Sequence, residues 1–215
     1  MPKYIGEQDF KHGTGDSLGI LLVNLGTPEA PTTGAVRKYL AEFLWDPRVI
    51  EVPRPLWWLI LHGVILRFRP KRSAEAYAKV WTDEGSPLLS WSEKQCKGLA
   101  RMLAASLRAP VHVALGMRYG QPSIAAALED LRGHNVRRLL VLPMYPQYSA
   151  TTTASVFDGV SDALREQRWI PELRFVTQYH DEPGYIAALA ASVREFWVNK
   201  GRGDHLVMSF HGVPR

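Results

Sequence analysis

The feature that most constrains the fold is an alternation of short apolar runs with longer amphipathic segments. Short apolar runs closed by Gly or Pro are typical of buried parallel strands, and the longer segments have helical spacing. The predicted strands cover residues 18–25, 111–115, 138–143, 173–178 and 205–210, and the predicted helices among them cover 122–131, 153–167 and 183–199. This alternation predicts an α/β fold, an open parallel sheet with helices on both faces.

The stretch between the first two predicted strands is predicted to be helical. Apolar residues recur at helical spacing over 36–45, 54–68 and 73–81. Ser90 and Glu93 have the spacing of a capping box, which predicts a helix from there to about residue 107. The apolar stretch 55–66 is shorter than the roughly 20 residues that a membrane-spanning helix needs. It is therefore interpreted as a core helix or an interfacial segment.

Composition limits the classes of protein that this chain can belong to. The 215 residues are 46% hydrophobic and 22% charged, which indicates a globular chain. A single cysteine, Cys96, excludes an intramolecular disulfide framework and favours a reducing, cytoplasmic setting. The first residues contain no apolar core of signal-peptide length. The net charge of +5 fits an anionic partner such as nucleic acid, anionic lipid or a small substrate, or no such partner.

Candidate functional residues follow the predicted strands, because open α/β sheets bind ligands beyond the carboxyl ends of their strands. No glycine-rich phosphate loop or nucleophile elbow occurs there. His211 could bind a metal or accept a proton, or could be a structural residue at a strand end. Tyr145 and Tyr148 offer flat faces and hydroxyls to a planar, partly polar ligand, or one of them packs in the core. Arg118 could meet an anionic group or lie on the surface.

Several of these segments together resemble the ferrochelatase family. The matching segments, in the order of the family, are 21–28 (LLVNLGTP), Tyr77 with 85–87 (GSP), 116–119 (GMRY), 145–149 (YPQYS) with Thr152–Thr153, and 209–214 (SFHGVP). The forms SFHG and YPQYS are similar to those of bacterial members that make protoheme. The resemblance covers nearly the whole chain, and the set of motifs is far more specific than any one of them.

The resemblance implies a Rossmann-like, chelatase-type fold with two similar α/β domains and a cleft between them. Residues 18–203 would form the first domain, with a helical lip over about 54–82. Independently of the resemblance, residues 1–17 are rich in glycine and charge and are interpreted as a flexible arm. Residues 204–215 would form the first strand of a second domain that is largely missing from this chain. The implied activity is the insertion of Fe(II) into protoporphyrin IX, the last step of haem biosynthesis.

The resemblance also implies roles for individual residues. His211 would be the catalytic histidine and a metal ligand, with its partner glutamate beyond Arg215. The porphyrin would contact Leu25, Tyr77, Ser86, Arg118, Tyr119, Tyr145 and Tyr148. Leu25 cannot ligate a metal, although some relatives place a possible ligand there. The Trp57–Trp58 segment would form an apolar lip that can contact a membrane peripherally.

No tightly bound cofactor, iron–sulfur cluster or nucleic acid is expected, and Fe(II) would be a substrate. Two alternatives stay open. The chain could be a non-catalytic porphyrin- or haem-binding module, or it could come from a coproporphyrin ferrochelatase or a related metal chelatase. The segments 145–149 and 116–119 argue against a chelatase for cobalt and sirohydrochlorin.

Overall fold

The structure, a computed structural model, describes residues 4–6 and 12–212. Its centre is a four-stranded, fully parallel sheet with the strand order β2-β1-β3-β4, which confirms the predicted fold class. The strands are β1 (Ser17–Thr27), β2 (Val111–Gly120), β3 (Val136–Pro143) and β4 (Glu172–Phe175). The helices are α1 (Thr33–Trp45), α2 (Arg54–Ile60), α3 (Leu66–Val80), α4 (Pro87–Ser106), α5 (Ile124–Gly133), α6 (Ser155–Arg165) and α7 (Pro183–Lys200).

Strand β1 lies at the centre of the sheet because its side chains are apolar on both faces. Leu21 and Val23 are fully buried and Leu22 is 3% exposed. In register, Leu21 pairs with Ala114 of β2 on one side and with Val141 of β3 on the other. A strand buried on both faces needs such a continuous apolar run, which explains why the sequence predicts this strand well.

Helices cover both faces of the sheet, as predicted. Leu21 and Val23 belong to one apolar cluster with residues of β3, α5 and α6. Successive side chains of a strand point to opposite faces, so Asn24 lies on the other face from Val23. The Asn24 amide donates to the hydroxyl of Ser92, which belongs to α4. The sheet therefore separates α4 from α5 and α6.

The bounds of several elements differ from the prediction: β4, for example, ends at Phe175 instead of 178, and the differences in β2 and α4 have clear causes. Strand β2 continues to Gly120 instead of ending at 115, because Met117 and Tyr119 pair with β1 and are each 1% exposed. Helix α4 begins at Pro87 with Ser86 as its N-cap, so the capping box predicted at Ser90 is wrong. A proline at the first helical position begins a helix well because its fixed backbone angle suits the first turn.

The helical lip is one continuous helical run rather than two separate helices. Helices α2 and α3 are joined by a π-helical turn over Leu61–Ile65. Trp57 is 7% exposed and its indole N–H donates to the carbonyl of Leu44 at 2.7 Å, so it is a core residue. Trp58 is 51% exposed. The expectation that both tryptophans form the outer lip is therefore wrong for Trp57. Among the described residues, no helix combines the length and apolar character that a membrane crossing requires.

The two ends of the described chain also differ from expectation. Residues 205–210 form no strand within the described structure, and all are exposed. A strand needs a hydrogen-bonded neighbour, and none of the described strands pairs with this segment. At the other end, Ile5 exchanges backbone hydrogen bonds with Glu166 and Arg168. Of the expected flexible arm, residues 4–6 are therefore attached to the domain, while 1–3 and 7–11 lie outside the described residues.

Candidate functional site

The carboxyl edge of the sheet brings together most of the residues predicted for the site. Leu25 lies near the end of β1, Tyr119 near the end of β2, and Tyr145 two residues after the end of β3. The first two strands approach very closely here. A Cβ atom on Gly26 would lie 1.7 Å from the carbonyl oxygen of Tyr119, and Gly26 has a φ of 104°. Only glycine allows this approach, and the absence of a side chain at Gly26 lets the end of β1, with Leu25, pack against Tyr119 of β2.

A row of aromatic rings connects this edge to the helical lip. The rings of Tyr77 and Tyr39 meet edge to face with centroids 6.4 Å apart. Phe43 stacks on Tyr39 and meets the ring of Tyr119 edge to face at 5.2 Å. Edge-to-face contacts of this kind fix ring orientation in addition to burying apolar area. Helix α1 thus connects two of the predicted site residues, Tyr77 and Tyr119.

The tyrosines at this edge keep their hydroxyl protons. Burial raises the pKa of Tyr145, and the neighbouring Tyr119 and Tyr39 hydroxyls raise it further. Burial likewise raises the pKa values of Tyr39 and Tyr119. At neutral pH these hydroxyls are therefore neutral, and each can donate a hydrogen bond.

Some buried polar atoms at the edge have no protein partner. Among the described residues, no hydrogen-bond partner exists for the buried side-chain oxygens of Tyr145, Thr153 and Thr27. Thr153 is 1% exposed and belongs to a π-helical turn over Ala150–Ala154, which follows the loop that contains Tyr145. Native proteins rarely leave buried polar groups unpaired, so each one requires an explanation. A ligand with polar groups, or ordered water, would supply the missing hydrogen bonds.

The predicted residues Arg118 and Tyr119 take part in a hydrogen-bonded cluster around Asp46. Arg118 Nη2 and the Tyr119 hydroxyl donate to the same Asp46 carboxylate oxygen at 2.7 and 2.8 Å. The Ser155 hydroxyl donates to that oxygen at 2.5 Å. Tyr119 is 1% exposed. The polar groups of Arg118 and Tyr119 are therefore engaged in hydrogen bonds to the protein itself, which leaves fewer of them for a ligand.

Other predicted residues lie apart from this cluster. Ser86 is buried at the start of α4, and Tyr148 is 55% exposed in the loop after β3. His211 is exposed and lies outside any helix or strand of the described residues. Across residues 4–6 and 12–212, no three His, Cys, Asp or Glu side chains converge in a way that could hold a metal ion. Four predicted residues therefore lie together at the carboxyl edge of the sheet: Leu25, Arg118, Tyr119 and Tyr145. Tyr77 is connected to them through its ring contact with Tyr39. His211 does not lie among them in the described structure.

An open cavity of about 240 Å³ lies at the opposite, amino-terminal end of the strands. Its walls are mostly apolar, from Leu18, Ile20 and Leu140 among others. Two of its charged groups, Arg174 and Glu172, lie 3.4 Å apart and pair with each other. The carboxyl edge instead has neutral donors and buried oxygens that lack a partner in the described part of the chain, so it is the better candidate site.

Sequence reasoning missed Asp46 and Tyr39. Asp46 follows the last turn of α1, and its nearest signal is only that Asp-Pro ends a helix. Its partners Arg118 and Ser155 lie 72 and 109 residues further along the chain. Tyr39 has helical spacing with Val36 and Leu40, which predicts burial but not its contact with Tyr77.

Comparison with known proteins gives a consistent result. The family model described as Ferrochelatase matches residues 17–215. The chain is 57% identical over 213 residues to a ferrochelatase of Thioalkalivibrio sulfidiphilus, and 56% identical over 214 residues to one of Marinobacter nauticus. These matches cover 99% and 100% of this chain. The chain spans 58% of the length of each of these two relatives. It belongs to the ferrochelatase family.

Proposed function

We propose that the full-length protein inserts Fe(II) into protoporphyrin IX and releases protoheme. The observation that carries this proposal is the buried hydroxyl of Tyr145, which has no described hydrogen-bond partner, beside the aromatic residues at the carboxyl edge of the sheet. Family membership supports the same activity, because both relatives named above are ferrochelatases.

The character of the edge suits a flat, largely apolar ring with polar substituents. Neutral tyrosine hydroxyls can donate to such a ligand without placing a buried charge against it. We assign porphyrin contact, directly or through the wall of the site, to Leu25, Tyr77, Ser86, Arg118, Tyr119, Tyr145 and Tyr148. Since the Tyr119 hydroxyl already donates to Asp46, this side chain contributes to the wall of the site.

Metal insertion replaces two protons on the pyrrole nitrogens by one Fe(II) ion, and both protons are released to solvent. A neutral imidazole can accept a proton or bind Fe(II). We assign one of these roles to His211: it either accepts each pyrrole proton in turn and passes it to solvent, or it binds Fe(II). The exposure of its side chain leaves it accessible to a ligand. Fe(II) is here a substrate, and we expect no tightly bound cofactor or iron–sulfur cluster within this chain. Its one cysteine, Cys96, is half-buried and donates to the carbonyl of Val113.

We propose that residues 18–203 form one domain and that 204–215 belong to a second unit. Val207 and Phe210 are 86% and 74% exposed, which is unusual for large apolar side chains. In addition, no residue of α7 is buried by the part of the chain that the structure describes. The greater length of the relatives is consistent with further protein packing on these surfaces.

The proposed activity is tested by metal insertion in the full-length protein. Anaerobic Fe(II) or Zn(II) insertion into protoporphyrin IX would be followed by absorbance. His211→Ala should lower turnover at least about a hundredfold, the usual scale for loss of a proton acceptor, while protoporphyrin affinity changes less than threefold. The control is His205→Ala, an exposed histidine of the same segment, which should keep turnover within twofold.

Three results would contradict the proposal. Near-normal turnover by His211→Ala would remove the assigned role. Protoporphyrin binding by the wild-type protein without any metal insertion would indicate a binding module. Much faster turnover of coproporphyrin than of protoporphyrin would indicate the other porphyrin substrate.

We also propose a cytoplasmic protein that contacts membranes peripherally through the exposed part of the helical lip. Trp58, Leu59 and Phe68 of the lip are 51%, 61% and 74% exposed, and Arg67 and Arg69 flank Phe68 in sequence. Apolar side chains flanked by basic ones favour binding to an anionic lipid surface. Trp58→Glu should abolish flotation with anionic liposomes, whereas Trp91→Glu, which alters an exposed tryptophan of α4, should not. Equal flotation of both variants and wild type would contradict membrane contact through the lip.

A further inference from the structure

Asp46 is a buried carboxylate that the proposed reaction does not use directly. The residue follows α1 and is 5% exposed. Burying a carboxylate costs several kcal/mol unless it is paired and hydrogen-bonded. Its position between several elements at the carboxyl edge therefore calls for a specific reason.

Four donors meet the Asp46 carboxylate. One oxygen accepts hydrogen bonds from Arg118 Nη2, the Tyr119 hydroxyl and the Ser155 hydroxyl, at 2.5 to 2.8 Å. The other oxygen accepts the backbone N–H of Arg48 at 2.7 Å. Arg118 Nε also donates to the hydroxyl and the carbonyl of Ser155, at 2.7 and 2.8 Å. The cluster is closed, because Ser155 accepts from Arg118 and donates to Asp46.

The cluster keeps Asp46 ionised. Burial by itself would raise the pKa of this carboxyl. The hydrogen bonds from Ser155, Tyr119 and the Arg48 N–H, together with the Arg118 guanidinium, outweigh burial and hold the pKa below its ordinary value. Charge-assisted hydrogen bonds are the stronger kind, so an ionised Asp46 fixes its donors more firmly than a neutral amide would.

The partners of Asp46 come from separate elements around the candidate site. Arg118 and Tyr119 lie at the end of β2, and Ser155 is the first residue of α6. Between β3 and Ser155 runs the loop that contains Tyr145 and Tyr148. One carboxylate therefore joins the end of α1 to β2 and to the far end of that loop.

We propose that Asp46 is a positioning residue for porphyrin binding: it holds Arg118 and the start of α6 so that the loop with Tyr145 keeps its place at the edge of the sheet. This inference rests on the proposed function, because it assigns Asp46 a part in binding the same substrate. Asp46 acts through its partners and is not itself a catalytic residue.

The test compares Asp46→Asn with Asp158→Asn in the full-length protein. Asp158 accepts two hydrogen bonds from Arg48 in a more exposed ion pair, so its substitution is a matched removal of one charge. We expect Asp46→Asn to raise the KM for protoporphyrin at least fivefold and Asp158→Asn to change it less than twofold. A loss of folded protein alone would lower the maximal rate and leave KM unchanged, so KM separates positioning from stability.

A milder variant keeps the test decisive if Asp46→Asn does not fold. Ser155→Ala removes one donor and should raise the same KM at least twofold. An unchanged KM in whichever folded variant is measured would overturn the positioning role while wild-type activity stands. Absence of porphyrin binding and metal insertion in the wild type would instead overturn the proposed function itself.

Discussion

Two tyrosine hydroxyls at the carboxyl edge should respond in opposite ways to their removal. Tyr119 is buried and its hydroxyl donates to Asp46, whereas Tyr145 is partly buried and its buried hydroxyl has no partner among the described residues. A hydrogen bond to a charged group contributes about 1.5–3 kcal/mol, and an unpaired buried polar group costs about 1–3 kcal/mol. Tyr119→Phe should therefore destabilise the protein, and Tyr145→Phe should stabilise it or leave it unchanged.

The magnitudes can be measured by urea unfolding followed through tryptophan fluorescence. We expect Tyr119→Phe to lower the free energy of unfolding by about 2 kcal/mol and Tyr145→Phe to raise it by about 1 kcal/mol in the absence of ligand. Tyr145→Phe should at the same time weaken protoporphyrin binding about tenfold, the equivalent of one hydrogen bond of about 1.4 kcal/mol. A Tyr145→Phe protein less stable than wild type by 1 kcal/mol or more would refute the reasoning, since it would require a protein partner for that hydroxyl.

Two further predictions concern the backbone and the pH dependence of stability. Gly26→Ala should lower the free energy of unfolding by about 2–5 kcal/mol, because its Cβ meets the Tyr119 carbonyl at positive φ. Gly34→Ala, whose Cβ would enter open space in the described structure, should leave the free energy of urea unfolding unchanged or raise it. Burial and the stacked His134 lower the pKa of His112, despite an opposing effect of Asp130. Because the imidazole then binds a proton more readily in the unfolded chain, the free energy of unfolding should fall as the pH drops below about 6.5. His112→Gln should flatten that pH dependence, and an unchanged slope would contradict it.

The sequence predicts the sheet because its strands are buried on both faces or end in clear turn residues. Strand β1 is an uninterrupted apolar run closed by Gly26, and that pattern has few other interpretations. The end of β2 was missed because Arg118 interrupts its apolar pattern, and the burial of that residue depends on Asp46. The capping box at Ser90 failed because Ser86 with Pro87 offers an earlier start for the same helix.

The candidate site was only partly predictable for a similar reason. The rule that ligands bind at carboxyl ends, with the family resemblance, indicates Tyr145 and Arg118. It cannot show that Arg118 pairs with a carboxylate that follows α1, because this contact joins residues far apart in the chain. Likewise, the spacing of Trp57 and Trp58 does not reveal which of them faces the core. That is decided by the hydrogen bond from Trp57 to Leu44.

The central claim is that porphyrin binds at the carboxyl edge of this sheet. The most direct test is fluorescence titration of protoporphyrin IX with two charge substitutions in the full-length protein. Tyr148 lies after β3 at the carboxyl edge, and Ile170 lies before β4 at the amino edge. Both side chains are more than half exposed, so the variants Tyr148→Glu and Ile170→Glu should both fold. The account predicts at least tenfold weaker binding for Tyr148→Glu and less than twofold change for Ile170→Glu. Equal affinities, or a loss confined to Ile170→Glu, would contradict it.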